Sequence, residues 1–345
     1  MSTAPLPLDA TTPVLVTGGG GFLGRAIVEQ LRARGVSVTN FARSAYPDLE
    51  AAGVPTFRGD LGDADAVRAA CAGRAAVFHV AAKAGVWGRR ADFQLTNCEG
   101  TRNVIEACRA GGVRRLVYTS TPSVVFAGQD LCGVDESVPY PKRYHAAYPE
   151  TKAIAERHVL AANGSDLATV SLRPHLIWGP GDPHFVPRLT ARARLGRLRI
   201  VGNGQNRVDT IYVDDAAEAH VHAAERLAPG SPVAGRCYFL SPGTPVALWE
   251  MVNHLLAAAD VPPVTRAVPA QLAYAAGAVL EVIYRVLPLQ GEPLMTRFLA
   301  RELATSHWFD GSAARRDLDW KPRISLEEGL RRLRARLGSG HDGAA

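Results

Sequence analysis

Strand-like and helix-like stretches alternate at βαβ spacing through the first half of this chain. A glycine cluster joins the first strand to the first helix, and prolines break the pattern after about residue 180. These observations predict an α/β fold: a doubly wound parallel sheet with a smaller, interleaved C-terminal lobe. Val14-Leu15-Val16 is a short apolar run ending at Thr17 and the glycines. Residues 22–34 read as a helix, because Leu23, Ile27 and Leu31 share one face, and Gly35 stops it. Residues 36–41 form the second strand. Further strands fall at 54–57, 76–80 and 115–119, with helices at 63–71 and 96–110 between them. Beyond Pro180, Gly181, Pro183 and Pro187 come one more strand, at 209–213, and a helix at 214–226.

With 345 residues, the chain can form one large domain or two intimately joined ones. It is 47% hydrophobic and 21% charged, as a soluble globular protein is. The excess of 39 basic over 33 acidic side chains, 39 − 33 = +6, is too mild to argue for nucleic acid. It suits anionic small molecules or a lipid surface. Five scattered cysteines, none spaced C-x-x-C, argue against a disulfide framework and a metal site, and fit a reducing cytoplasm. The first residues lack the layout of a signal peptide. The most apolar stretch, 267–289, is interrupted by Glu281 and Arg285 and bracketed by Pro269 and Pro288. It is too broken for a transmembrane helix. It reads as a buried helix or a lid, with a membrane-touching amphipathic segment as the alternative.

Gly18, Gly21 and Gly24 are spaced G-x-x-G-x-x-G after a strand and into a helix, the context of a dinucleotide phosphate loop. Glycines let the backbone approach a pyrophosphate, and the amides of the helix start, around Phe22 and Leu23, face its charge. The second strand ends in Ala42-Arg43 with no carboxylate to hold a free ribose hydroxyl. Arg43 is placed to pair a 2′-phosphate, so NADP(H) is expected over NAD(H). Asp60 and Leu61 fall near the adenine. The cofactor domain spans 12–178, completed by 208–242. A substrate lobe takes 179–207 and 243–335, with flexible termini at 1–11 and 338–345.

Tyr148 stands four residues before Lys152, about one helical turn away on the same face. A phenol with a pKa near ~10 is a poor acid–base group at neutral pH, and a neighbouring cation lowers it. Pro149 places Tyr148 at the helix entrance, since proline is tolerated only in a first turn. The glycine loop, Asp60-Leu61, Phe78-His79-Val80-Ala81-Ala82, Asn97 with Gly100-Thr101, Tyr118-Thr119-Ser120-Thr121 and Tyr148…Lys152 follow one another in a fixed order. Over about residues 13–333 this order resembles the extended short-chain dehydrogenase/reductases, which implies a Rossmann-type sheet. The resemblance implies that Tyr148 is the general acid of ketone reduction. Lys152 would hold the nicotinamide ribose while lowering the tyrosine pKa. Thr121 would polarise the carbonyl, with Ser120 and Ser123 as rivals. Ala81, Ala82, Pro174 and Leu176 would line the cofactor, and His175 reads as structural.

Sugar-nucleotide epimerases of this family carry an arginine immediately before the late aspartate, where this chain has Val208 before Asp209. Asn206, Asp209, the Tyr-Pro-x-Thr-Lys form and the apolar late segment resemble the 3β-hydroxysteroid dehydrogenase branch instead. Residues 119–126 and 178–185 are similar to a bacterial group in it that reduces 2-alkyl-3-oxoalkanoates in long-chain olefin biosynthesis. That resemblance implies a two-tailed fatty β-keto acid as substrate and NADPH as reductant. It also implies a β-lactone-forming ligase and an α/β-hydrolase-fold decarboxylase as partners. A cytoplasmic homodimer is expected, with peripheral membrane contact as a further option. Arg188, Arg192, Arg194, Arg197, Arg199 and Arg207 occur without an acid among them and could meet a carboxylate, an acidic partner or a membrane. The competing readings are an NAD-dependent sterol dehydrogenase, a sugar-nucleotide epimerase and a non-catalytic NADP-binding protein.

Overall fold

The computed structural model describes residues 6–287 and 289–338. Pro288, the lead-in through Pro5 and the tail from residue 339 lie outside the described residues. Seven strands carry the main sheet: β1 (Val14–Thr17), β2 (Val38–Ala42), β3 (Thr56–Arg58), β4 (Ala76–His79), β5 (Arg115–Thr119), β6 (Ala168–Pro174) and β7 (Arg236–Leu240). Val14 and Val16 face one side of β1 and Leu15 the other, and all three are fully buried. Such a strand needs cover on both faces, which places it inside a parallel sheet. The order is β7-β6-β5-β4-β1-β2-β3, with every pair parallel. Strand order reverses between β1 and β4, where ligands of doubly wound sheets bind at the carboxyl ends.

The helices that matter below are α1 (Phe22–Ala33), α2 (Ala64–Cys71), α3 (Gly100–Ala110), α4 (Ala147–Ala161), α5 (Phe185–Arg194), α6 (Val213–Arg226), α7 (Ala270–Val286) and α8 (Arg297–Glu302). α1 and α6 pack together over the Val14 face. α2, α3 and the Ala155–Val159 side of α4 cover the Leu15 face. Asp63 caps α2 by accepting from the amides of Asp65 and Ala66 at 3.1 and 3.0 Å.

Several boundaries differ from the sequence reading for local reasons. Val36 and Val54, expected in strands, instead close the ends of the preceding helices. Their amides donate to Leu31 O and Leu49 O, just past the left-handed Gly35 and Gly53. The helix expected at 96–110 begins at Arg90 and passes through a π-turn at Gln94–Glu99. The strand expected at 209–213 shrinks to Ile211–Tyr212, because Asp209 spends its carboxylate on side-chain and backbone donors and Val213 already opens α6.

The smaller lobe contains a four-stranded sheet built from Leu131–Val134, His307–Phe309, Arg207–Val208 and Val246–Ala247. Ile200–Val201 pairs with Ala267–Val268, which brings the segment after α5 beside the start of α7. α7 departs from the buried helix expected there. Only Ala273, Gly277 and Glu281 are buried, Leu280 is half-buried, and Leu272 and the three valines point outward. No described helix is long and apolar enough to cross a membrane.

Candidate active site

At the carboxyl end of β1, Gly18 adopts φ +73° and donates its amide to Phe41 O at 2.8 Å. A Cβ on Gly24 would stand 2.1 Å from Gly18 O, so only glycine lets α1 start this close to the strand. Gly21 is the N-cap, and the first bond into the helix runs from Arg25 N to Gly21 O at 2.8 Å. The amides of Phe22, Leu23 and Gly24 therefore have no intrahelical acceptor, and they sit at the positive end of the helix dipole. Ala81 lies against Gly18 and donates to Thr17 O at 3.0 Å, with Ala82 next to it in the chain. Arg43 follows β2 at the same edge, exposed and without an ion pair or hydrogen bond to any of the described residues. Asp60 is exposed and holds Gly62 N at 2.8 Å, while Leu61 is buried against Gly100. Pro174 ends β6, and Leu176 sits at φ +42°, a strained value for a leucine. A cradle that a Cβ would fill and unpaired amides at a helix start suit the phosphates of a dinucleotide.

α4 begins at Ala147, which puts Tyr148 second and Pro149 third in the helix. An amide at the third position would lack an intrahelical acceptor anyway, so proline loses nothing there. The Thr121 hydroxyl lies close enough to the Tyr148 phenol to favour its ionisation. Burial outweighs that contact and pushes the phenol up to about 12, with the Glu302 carboxyl acting in the same direction. The spacing predicts that Lys152 lowers the tyrosine pKa. In the structure its ammonium donates to Thr119 O at 2.6 Å and stands 4.2 Å over the Tyr118 ring. Burial pulls Lys152 down to about 7, opposed mainly by the Glu156 carboxylate one turn further along α4.

The three candidate hydroxyls separate by position. Thr121 caps the Pro122–Val125 turn by accepting from Ser123 N at 3.3 Å, and its hydroxyl reaches Ser123 Oγ at 3.3 Å. Ser120 is buried, and its amide donates to Leu172 O at 2.6 Å. Its Oγ lies by Glu156 without a well-formed bond. Tyr148 and Thr121 are thus brought together, whereas Ser120 faces the layer beneath.

That layer escaped the sequence reading. Glu156 and Arg173 form an ion pair at 2.6 Å, with side chains 0% and 2% exposed, which Tyr140 and Ser171 complete at 2.6 and 2.7 Å. The i, i+4, i+8 spacing of Tyr148, Lys152 and Glu156 was the available signal, but a distant arginine has none. Asn97, in the π-turn, accepts from Lys83 N and donates to Thr151 Oγ1, tying the loop after β4 to α4. His79 bridges Thr17 and Thr101 at 2.8 and 3.0 Å, and burial lowers it to about 3. Asn40 holds Gly19 N at 2.8 Å, and the Tyr46 ring lies against Gly20. His175 is held by Asp209 at 2.8 Å. Glu302 is pushed up to about 8 by burial. A cavity of about 610 Å³ opens beside Ala147. Trp87, Phe93, Tyr284 and Phe298 furnish its aromatic wall, Arg89, Arg90 and Arg285 its cations and Glu150 and Glu281 its acids, while Tyr148 and Thr121 are not part of the lining.

Residues 15–269 match the sequence model of the 3-beta hydroxysteroid dehydrogenase/isomerase family. The chain is 54% identical over 325 residues to the 2-alkyl-3-oxoalkanoate reductase of Stenotrophomonas maltophilia, covering 93% of this chain and 98% of that one. It is 52% identical over 330 residues to the protein of the same name from Shewanella oneidensis, covering 93% and 85%. Among solved structures, MoeE5 in complex with UDP-glucose and NAD superposes with a TM-score of 0.74 at 25% identity, covering 95% and 99%.

Proposed function

Because the chain belongs to the 3-beta hydroxysteroid dehydrogenase/isomerase family, an oxidoreductase family, we propose that it reduces the 3-keto group of a 2-alkyl-3-oxoalkanoate to the 3-hydroxyl with NADPH. The observation that carries this reading is the 54% identity across nearly the whole length of a reductase named for that substrate. The cavity beside the catalytic helix, with aromatic walls and three arginines (Arg89, Arg90 and Arg285) beside Glu150 and Glu281, suits a substrate with alkyl tails and a carboxylate.

When bound, the dinucleotide supplies the hydride. Gly18, Gly21, Gly24 and the amides of Phe22 and Leu23 would hold its pyrophosphate, Arg43 would hold its 2′-phosphate, and Lys152 would orient the nicotinamide ribose. Reduction builds negative charge on the carbonyl oxygen, and preorganised donors stabilise it. Thr121 donates a hydrogen bond to that oxygen, and Tyr148 delivers the proton to it. Burial keeps the phenol protonated at neutral pH, so the proton is in place, but it also makes the phenol a weaker acid than the spacing to Lys152 predicts. The same reading places the enzyme in olefin biosynthesis, as a cytoplasmic homodimer beside a β-lactone-forming ligase and an α/β-hydrolase-fold decarboxylase.

The test follows nicotinamide absorbance with a 2-alkyl-3-oxoalkanoic acid and a 3-ketosteroid side by side, each with NADPH and with NADH. Turnover of the keto acid with preference for NADPH is expected. Turnover of the steroid alone would refute the substrate, and equal efficiency with NADH would refute the role of Arg43.

A further inference from the structure

Among the described residues, eight of the eleven exposed large hydrophobic side chains fall between Leu272 and Leu294. On α7, Leu272, Val279, Val282 and Val286 are 60%, 59%, 58% and 74% exposed, and Arg285 is the only exposed charge on that helix. A helix apolar on its outer face is stable in water only if something covers it. Its inner face is fixed: Gly277 meets the Thr296–Arg297 backbone, and Glu281 binds Arg297 through its amide and guanidinium at 2.7–3.0 Å. The apolar face is therefore a fixed surface of the molecule.

The border of that face is basic. Leu189, Ala193, Leu198 and Ile200 share one core cluster with Ala273 and Tyr274 of α7, and Arg188 pairs with Glu292 just beyond α7. Between residues 185 and 202 there are five arginines and no acid. Arg194 and Arg197 are exposed without a carboxylate partner, and Leu195 between them is 65% exposed. Two copies meeting through this face would bring like charges together, whereas an anionic bilayer surface would attract them. Aliphatic side chains bordered by arginine are the composition of an interfacial element rather than of a spanning one.

We propose that the outer face of α7, bordered by Arg194, Leu195 and Arg197, docks the protein on an anionic lipid bilayer. The opposite side of α7 lines the cavity with Glu281, Tyr284 and Arg285, so docking sets the cavity wall against the lipid phase. This surface does not depend on which ketone is reduced, and its test reads binding apart from turnover.

The full chain is sedimented with phosphatidylcholine vesicles, with and without phosphatidylglycerol. Binding to the anionic vesicles, weakened by salt, is expected. Val279→Glu/Val282→Glu should abolish it while leaving turnover of a soluble short-chain substrate and the thermal midpoint unchanged. Arg194→Glu/Arg197→Glu should weaken binding on the order of tenfold or more. No sedimentation with anionic vesicles would overturn the proposal, as would full binding by the valine variant. Conversion of a dimer to a monomer by that variant in sedimentation velocity would also overturn it, assigning the face to a second copy.

Discussion

α1 and α7 are both apolar helices, yet they bury opposite things. α1 presents Leu23, Ile27, Val28 and Leu31 to the sheet, with the last three at 0% exposure. α7 buries an alanine, a glycine and a glutamate, and leaves Leu272 and its valines outside. In α1 the apolar residues recur on one stripe, so burial follows from pattern. In α7 they run around the whole helix, and close backbone approach at Gly277 decides which side goes in. Hydrophobic content therefore reports burial only where a polar face forces the choice.

Substitutions can break or sharpen this contrast. The largest effect is expected at the site that the sheet side positions. Tyr148→Phe should lower kcat by about 10²–10⁴-fold with an unchanged circular dichroism spectrum, since only the proton donor is lost. Next comes the packed stripe: Ile27→Ala should cost about 2–4 kcal/mol in denaturant unfolding, from lost burial plus a cavity.

Lys152 offers a pH test of how deeply the sheet side is sealed. Its folded pKa of about 7 lies below the unfolded value of 10.5. Between these values the unfolded chain binds more protons, so the lysine's contribution to stability should rise with pH across that window and fall away towards pH 7. The stability difference between wild type and Lys152→Met, measured across pH 6–11 (roughly the span of reference lysine linkage), should carry that slope. A flat difference would mean that the ammonium is solvated.

Arg43→Ala should raise the KM for NADPH by roughly tenfold, the scale of one charge-assisted contact, with NADH kinetics little changed. The smallest effect belongs to the exposed helix. Val282→Ala should stay within about 0.5 kcal/mol of wild type. A loss as large as that of Ile27→Ala would erase the contrast and show that the face is covered in solution.

The sheet side was legible because its signals are local. The β1–glycine–α1 junction, the alternating strands and the Tyr148/Lys152 turn each occupy a few neighbouring residues, and Pro149 marked the helix start within one position. What stayed hidden depends on partners far apart in the chain. Nothing near Glu156 announces Arg173, and nothing near Asn97 announces Lys83 or Thr151. Thr121 could not be separated from Ser120 by order alone. The separation comes from the turn at Pro122, which sends successive hydroxyls to different layers. The outward face of α7 was hidden for the same reason, since its inner contact is a backbone twenty residues away in sequence.

The contact at Gly277 has a mechanical consequence. A glycine seated on a backbone and a glutamate clamped to Arg297 one turn later work like a tongue in a groove. α7 cannot slide along α8 without breaking three hydrogen bonds, nor roll without driving a helix backbone into a neighbouring one. The two helices are therefore one lever. Glu302 ends α8, so the outermost helix of the lobe is locked to the element that brings this carboxyl towards the Tyr148 phenol.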